Sequence, residues 1–311
     1  EKYLGNTYGI TVYQEQVMKL SQELAGFSEG KADVLRKAMG KKKKGILDSL
    51  KEEFFQGCLE RNHDAKKIEK IWKDWEAFAS YAFNKSHSTC YSFIAFQTAY
   101  LKAHYPEEFM ASLLTHHMND LSKLTKYMDE CKRMGISVLG PDLNESWIDY
   151  SVNEENAIRF GLGAIKGVGS VAAKSIIDNR SEYGHYKNFM DFIKRVDLKV
   201  VNKRVLEALA IGGAFDTITN VDRANFFKTT NEITFIELVI QFRSQLMKNS
   251  GLNTQLEMFD QDTMSTMTNE PVLSETDKWG RLEKLNKEKA VLGIYISGHP
   301  LDDYFLEVKH F

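Results

Sequence analysis

The stretch that decides the fold is Gly161-Leu162-Gly163-Ala164-Ile165-Lys166-Gly167-Val168-Gly169, which runs directly into a helical pattern over Ser170–Asn179. Gly167 and Gly169 flank Val168, and glycine adopts positive φ angles without strain, so the spacing predicts a tight turn. Such a turn leaves backbone N–H groups free at the start of the next helix, where the helix dipole attracts a phosphate. Val168 is predicted to anchor the turn in the core.

This arrangement is the helix-hairpin-helix pattern, which holds a sugar-phosphate backbone without reading the bases. We expect Lys166 and Lys174 to lie on the DNA backbone together with Gly167, Val168 and Gly169. A dinucleotide-binding Gly-x-Gly-x-x-Gly loop is the competing interpretation, but the third glycine is missing and no acidic residue is clearly placed about 20 positions later. A tight interhelical turn that binds no ligand is the third interpretation.

The charge of this region favours the nucleic-acid interpretation. The whole chain has a formal net charge of −2, so any such signal must be local. Ten basic and four acidic residues lie between Arg159 and Arg204. A second hairpin candidate combines a helix over residues 206–209 with Ile211-Gly212-Gly213-Ala214-Phe215. This copy is degenerate, and a purely structural role is its alternative.

The bulk composition excludes several classes of protein. The chain has 311 residues, 43% of them hydrophobic, which is enough for two or three modest domains. Its cysteines, Cys58, Cys90 and Cys131, are far apart, so neither a metal site nor a disulfide framework is expected, and a reducing cytoplasm suits them. No stretch reaches the roughly 18 to 20 apolar residues of a membrane span, so we expect no membrane partner. Because the chain opens in mid-domain sequence without Met, we interpret it as a piece of a longer protein.

The order of patterns predicts a mostly α-helical, multidomain fragment. Helical spacing dominates up to the turn signal at Gly140-Pro141-Asp142, where we place a domain boundary. Alternation over Trp147–Val152 and Ala157–Phe160 then predicts a small β-hairpin. A longer helix is predicted over residues 222–248. Residues 251–277 hold six acidic and no basic residues, a linker composition.

Six runs along the chain resemble the bacterial DNA polymerase III alpha subunits, the C-family of replicative DNA polymerases. They occur in the family's order and cover nearly the whole chain: Tyr8–Met18, Leu35–Lys43, Phe83–Ser88, Tyr100–Met110, Gly161–Gly169 and Gly212–Asp216. The resemblance implies a fingers domain over 1–140, a tandem helix-hairpin-helix domain over 141–250, an acidic linker with a clamp-binding motif over 251–277, and a helical connector over 278–311. An oligonucleotide-binding barrel is expected to follow.

The same resemblance implies which residues face the incoming nucleotide and the template. In the family the basic residues of the fingers do so, and the matching positions here are Arg36, Lys37, Lys41, Lys85 and His87. The family commonly has Arg-Arg where this chain has Arg36-Lys37. Lysine can neutralise a phosphate but cannot bind it with a two-pronged guanidinium.

Catalysis is expected to lie outside this chain. Polymerases of this type use palm aspartates that hold two Mg²⁺ ions for nucleotidyl transfer. No Asp-x-Asp pair with the family's surroundings occurs here, so we predict that the chain alone binds no cofactor and is inactive as a DNA-directed DNA polymerase. The partners implied are primer-template duplex DNA, a deoxynucleoside triphosphate, a sliding clamp and other replisome subunits.

The acidic linker contains Gln255-Leu256-Glu257-Met258-Phe259. It resembles the internal clamp-binding peptide of the family, with Gln255, Leu256, Met258 and Phe259 as the contacts. A flexible segment of this kind presents apolar anchors to a pocket, and an amide sets the register. The alternative is that Met258 and Phe259 pack against neighbouring helices. For the whole chain, the alternative is a stand-alone helix-hairpin-helix DNA-binding or repair-scaffold module.

Overall fold

The computed structural model describes residues 2–41, 43–78, 83–230, 232–251, 270–275 and 277–304. These residues form a mostly α-helical protein with small sheets of two-residue strands, as predicted. The chain divides into two compact units, Glu1–Tyr100 and Leu101–Phe311. No helix in the described ranges combines the length and the apolar character that crossing a membrane would require.

The first unit is built from helices around an aromatic core. They are α1 (Gln14–Ala25), α2 (Glu29–Gly40), α3 (Lys44–Glu60) and α4 (Ala65–Phe78). Helix α5 (Lys85–His104) follows them, has no buried residue, and runs past the end of this unit. Phe54, Trp72 and Trp75 are fully buried, and the ring of Phe54 lies 5.3 Å and 5.1 Å from the two tryptophan rings. Burial of such large side chains is what holds a small helical unit together.

The second unit opens with two helices and a small sheet. Pro106 begins α6 (Pro106–His116), and the Asp120 carboxylate caps α7 (Leu121–Arg133) by accepting the N–H of Lys123. Strands β2 (Ser151–Val152) and β3 (Ile158–Arg159) pair antiparallel and form the predicted β-hairpin. Strand β1 (Val138–Leu139) adds to β3 in parallel, a pairing that the sequence did not predict.

The rest of the second unit is helical. It contains α8 (Gly169–Tyr183), α9 (Phe189–Arg195), α10 (Lys203–Gly212), α11 (Phe235–Gly251) and α12 (Arg281–Leu292). The helix predicted over residues 222–248 begins only at Phe235. Asp222 caps a short 3-10 helix instead, and strands β4 (Thr229–Thr230) and β5 (Ile233–Thr234) pair before α11 starts.

The two compact units divide between Tyr100 and Leu101, whereas the sequence predicts a domain boundary near residue 140. The physical reason is the core of the second unit. Met110 and Leu114 of α6, and Leu124 of α7, are buried in the same cluster as the hairpin region. The change of composition at residue 140 therefore marks a change of local structure inside one compact unit.

A buried ion-pair network fixes α12 to the second unit. The Arg223 guanidinium donates to Asp216 at 2.6 Å and to Glu288 of α12 at 3.1 Å. Glu288 is 1% exposed, and its other carboxylate oxygen accepts the N–H groups of Ile296 and Ser297 at 2.7 and 2.8 Å. Each buried charge thus has partners, which is the condition under which buried ion pairs are tolerated.

Candidate nucleic-acid interface

The predicted glycine turn is present. Gly167 and Gly169 have φ angles of +101° and +72°, and Val168 between them is 5% exposed, so it does anchor the turn in the core. Gly161, upstream, has a different role, because a Cβ there would clash with the backbone oxygen of Ile148. The glycines of this stretch therefore serve two purposes: close backbone packing at the upstream end and a tight turn at the downstream end.

The start of α8 is open. Val168 is its N-cap residue and offers no side-chain hydrogen bond, and the first turn contains no acidic residue. A Cβ at Gly169 would meet nothing within 4 Å. The first N–H groups of a helix have no partner inside the helix, and the dipole adds a partial positive charge there. This turn therefore presents main-chain donors to solvent without a side chain in the way.

A second loop lies beside this turn. Residues 196–202 form the loop between α9 and α10, and its members Lys199, Val200 and Asn202 line one cleft of about 580 Å³ together with the Gly167–Gly169 turn. The Arg204 side chain, at the start of α10, approaches to 3.6 Å from where a Cβ of Gly167 would lie. Two hairpins thus meet at one place: the Gly167–Gly169 turn with α8, and the 196–202 loop with α10.

The second hairpin candidate of the sequence analysis, residues 206–215, has the structural role that was given as its alternative. Gly212 ends α10, and Gly213 is its C-cap with a φ of +87°, so these glycines terminate a helix instead of starting one. A Cβ at Gly213 would clash with the buried Arg223 guanidinium. This segment is covered by the protein and presents no open helix start.

The ten basic side chains between Arg159 and Arg204 fall into two groups in the structure. Five have protein partners: Arg159 with Glu145, Lys194 with Glu270, Arg195 with Asp191, Lys203 with Glu237, and buried Arg180 with the carbonyl of Leu143. Within the described ranges, the other five have no side-chain ion pair or hydrogen bond: Lys166, Lys174, Lys187, Lys199 and Arg204. The local positive charge that remains available to a ligand therefore comes from this second group.

The predicted DNA-backbone residues Lys166 and Lys174 belong to the available group and are exposed. Their contact with DNA stays a prediction. Lys199 and Arg204 were not singled out from the sequence, although both line the cleft. Charge alone could not select them, since Lys194 and Lys203, equally basic and close in sequence, are paired.

In the first unit, the N-terminal end of α1 gathers part of the predicted nucleotide site. The Gln14 side chain accepts from the Arg36 guanidinium at 3.3 Å, while the Gln14 backbone N–H donates to Phe83 at 3.0 Å. Next to it, the Glu15 carboxylate accepts the backbone N–H of Lys85 at 2.9 Å. Arg36 of α2 and Lys85 of α5 are thus brought to the same end of α1.

The other side chains of the predicted nucleotide site differ in their neighbours. Arg36 and Lys37 both pair with Asp33, at 2.8 and 2.7 Å, and the Lys37 and Arg36 side chains together lower the pKa of that carboxyl. Lys41 is exposed at the end of α2. The His87 ring stacks on Tyr91 at 4.4 Å. A ligand phosphate would compete with Asp33 for the first two cations, whereas Lys41 is exposed.

Two further predictions concern metal and clamp binding. No group of His, Cys, Asp or Glu side chains arranged to hold a metal ion occurs among the residues that the structure describes. The predicted clamp contacts Gln255, Leu256, Met258 and Phe259 lie outside those residues.

Comparison with known proteins finds two family models that each match a part of this chain. Residues 1–62 match the family model of the bacterial DNA polymerase III alpha subunit finger domain, and residues 135–226 match that of the helix-hairpin-helix motif. The DNA polymerase III subunit alpha of Aquifex aeolicus is 43% identical over 304 residues, which are 98% of this chain and 24% of that protein.

Two other relatives give the same result. The DNA polymerase III subunit alpha of Borreliella burgdorferi is 41% identical over 312 residues, covering 100% of this chain and 26% of the relative. The DNA polymerase III subunit alpha of Thermus aquaticus is 40% identical over 308 residues, which cover 98% of this chain and 24% of that relative. The chain thus spans about a quarter of the length of the curated relatives it matches. Over nearly its whole length the chain is similar to a part of the bacterial DNA polymerase III alpha subunits.

Proposed function

We propose that this chain is the DNA-handling part of a bacterial cytoplasmic replicative DNA polymerase, in which the helix-hairpin-helix region holds duplex DNA behind the site of synthesis. One observation carries the proposal: a finger-domain match and a helix-hairpin-helix match follow each other within one continuous alignment. A stand-alone repair-scaffold module is the alternative. The match of residues 1–62 to a polymerase finger domain favours the polymerase.

Duplex binding is supported by the geometry of the first hairpin. Its open helix start offers main-chain donors that read no base, so binding should be independent of sequence. Cations such as Lys166 displace counterions from the phosphates, so the affinity for DNA should fall steeply as the salt concentration rises. Each phosphate contact should contribute roughly −0.9 to the slope of log affinity against log salt concentration.

Fluorescence anisotropy with two labelled duplexes of unrelated sequence tests this. We expect equal affinities and a linear fall of log affinity with log salt concentration. A strong preference for one duplex, or no binding at low salt, would contradict the proposed role.

The fingers are proposed to hold nucleotide and template phosphates through Arg36, Lys37, Lys41, Lys85 and His87. The convergence of Arg36 and Lys85 at the end of α1 supports this. The catalytic Mg²⁺ ions would be held by carboxylates elsewhere in such a polymerase.

The test is steady-state kinetics of a full-length polymerase that contains this chain. Lys85→Gln should raise the KM for deoxynucleoside triphosphate severalfold. Lys51→Gln, which removes a partly buried lysine paired with Glu76 in the same unit, is the control and should leave the KM unchanged. Equal KM values in the two variants would contradict the proposed role of Lys85 in holding the nucleotide.

Residues 255–259 are proposed to bind the sliding clamp of the same replisome. Buried apolar anchors dominate contacts of this kind and are worth on the order of 2 kcal/mol each. In calorimetry with a synthetic 250–263 peptide and purified clamp, Phe259→Ala should weaken binding at least about tenfold. Glu257→Ala is the control and should change little. Equal losses at both positions would indicate that the motif is not a clamp peptide.

A further inference from the structure

Helix α5 is exposed and uncharged at the same time. Every residue over 89–101 is exposed, and no residue of the helix is buried. Yet residues 86–100 contain no Asp, Glu, Lys or Arg. A helix face that stays in water carries polar and charged side chains, as the exposed face of α4 does with Lys66, Lys70 and Lys73. Helix α5 therefore lacks the composition of a helix that remains in contact with water.

The large apolar side chains of α5 lie on two opposite faces. Phe93, Phe96 and Tyr100 follow one another at intervals of three and four residues and share one face, where Phe96 is 72% exposed. Tyr91 and Ile94 lie on the other face and are exposed as well. With 3.6 residues per turn, Ile94 and Phe96 point about 160° apart. A helix that is apolar all round is one that proteins enclose.

Three kinds of partner do not fit this composition. A nucleic acid would need cations along the helix, and residues 86–100 contain neither lysine nor arginine. A helix that lies on a membrane surface needs a charged face, which α5 does not have. A second copy of the chain related by a two-fold axis would use the same face on both molecules and leave the opposite face in water.

The remaining partner is more of the same protein. The chain spans about a quarter of the length of the polymerase subunits to which it is similar. We propose that α5 is enclosed on both faces by apolar protein surface from the part of the same polymerase that lies outside this chain. Lys85 and His87, of the proposed nucleotide site, lie at the start of α5, so its enclosure would also fix their position. This inference rests on the proposed function, in which the chain is part of a longer polymerase.

Thiol labelling tests the two faces separately. Cys90 is exposed and lies four residues before Ile94, so it reports on that face. Thr89→Cys, made together with Cys90→Ser, lies four residues before Phe93 and reports on the other face. A thiol that is covered by protein is inaccessible to a maleimide, so both positions should react at least about tenfold more slowly in a full-length polymerase than in this chain alone. Peptide mapping by mass spectrometry assigns each reaction to its residue.

Lys70→Cys, also made with Cys90→Ser, is the control. It places a thiol on the exposed, lysine-rich face of α4, so its labelling rate should be the same in the two proteins. Thermal melts establish that each variant is folded. Cys90 belongs to the unmodified sequence, so its measurement does not depend on the folding of any variant.

The outcomes separate this inference from the proposed function. Equal labelling rates of Cys90 in the two proteins would overturn the enclosure of α5, and so would protection of only one of the two faces. Slow labelling of Cys90 in this chain alone would also overturn it, because the chain itself would then cover the helix. None of these results affects duplex binding by the unmodified chain, whose absence at low salt would overturn the proposed function instead.

Discussion

Replacing Gly169 by alanine tests whether the open turn is a binding element. Gly169 has a φ of +72°, where an L-amino acid costs about 1–2 kcal/mol. A Cβ there meets no atom within 4 Å, so no steric clash adds to this cost. For a unit of this size the expected fall in melting temperature is roughly 2–8 °C. The added methyl group stands where a phosphate would approach, so duplex binding should fall at least about tenfold, that is by 1.4 kcal/mol or more.

The control is Gly135→Ala. Gly135 follows α7 with a φ of +74°, and a Cβ there also meets nothing within 4 Å, so it carries the same conformational cost away from the turn. Thermal unfolding and anisotropy with a labelled duplex should show equal melting losses but a binding loss only for Gly169→Ala. If both variants melt lower and both bind like the unmodified chain, the turn does not touch DNA, and the reasoning from its geometry is refuted.

Three further predictions concern stability and reactivity. Glu288→Ala should destabilise the protein by about 3 kcal/mol or more in urea unfolding, because the buried Arg223 guanidinium loses one of its two carboxylate partners and the N–H groups of Ile296 and Ser297 lose their acceptor. Glu283→Ala on the exposed side of α12 should change little. The hydrogen bond with Lys203 lowers the pKa of Glu237 from 4.5 to about 2. Stability from this carboxylate is therefore present above pH 4.5 and is lost as the pH falls toward 2. The Glu237→Gln variant should show a smaller fall of the urea midpoint between pH 6 and pH 3 than the unmodified chain. Burial raises the pKa of Cys58 and Cys131 to about 11, so at pH 8 a thiol reagent followed by peptide mapping should modify Cys90 first, and rapid labelling of all three would contradict their burial.

Features that depend on local backbone chemistry were predicted correctly from the sequence. The positive φ angles at Gly167 and Gly169, and the buried Val168 between them, follow from residue type and spacing alone. The starts of α6 at Pro106 and of α7 after Asp120 are set by helix-terminus chemistry that is equally local. Each of these features is determined by residues within a few positions of it, so the local sequence is sufficient to predict it.

Features that depend on distant contacts were not predictable in this way. Strand β1 contributes only Val138 and Leu139, too short to show alternation, and its partner lies in β3. The loop of the second hairpin has no glycine, so the pattern that reveals the first hairpin is absent there. Which cations stay available also depends on tertiary structure, since Lys194 is neutralised by a residue 76 positions away.

The open start of α8 also determines how this protein could lose or regulate its hold on a nucleic acid. Acetylation or neutral replacement of lysines removes charge from side chains, but the N–H groups of Gly169 and its successors belong to the peptide bonds and persist through every such change. Only added bulk or a shifted backbone can close that end of the helix. The main-chain part of this contact is therefore insensitive to charge-altering modification, whereas the part that depends on Lys166 and Lys174 is not.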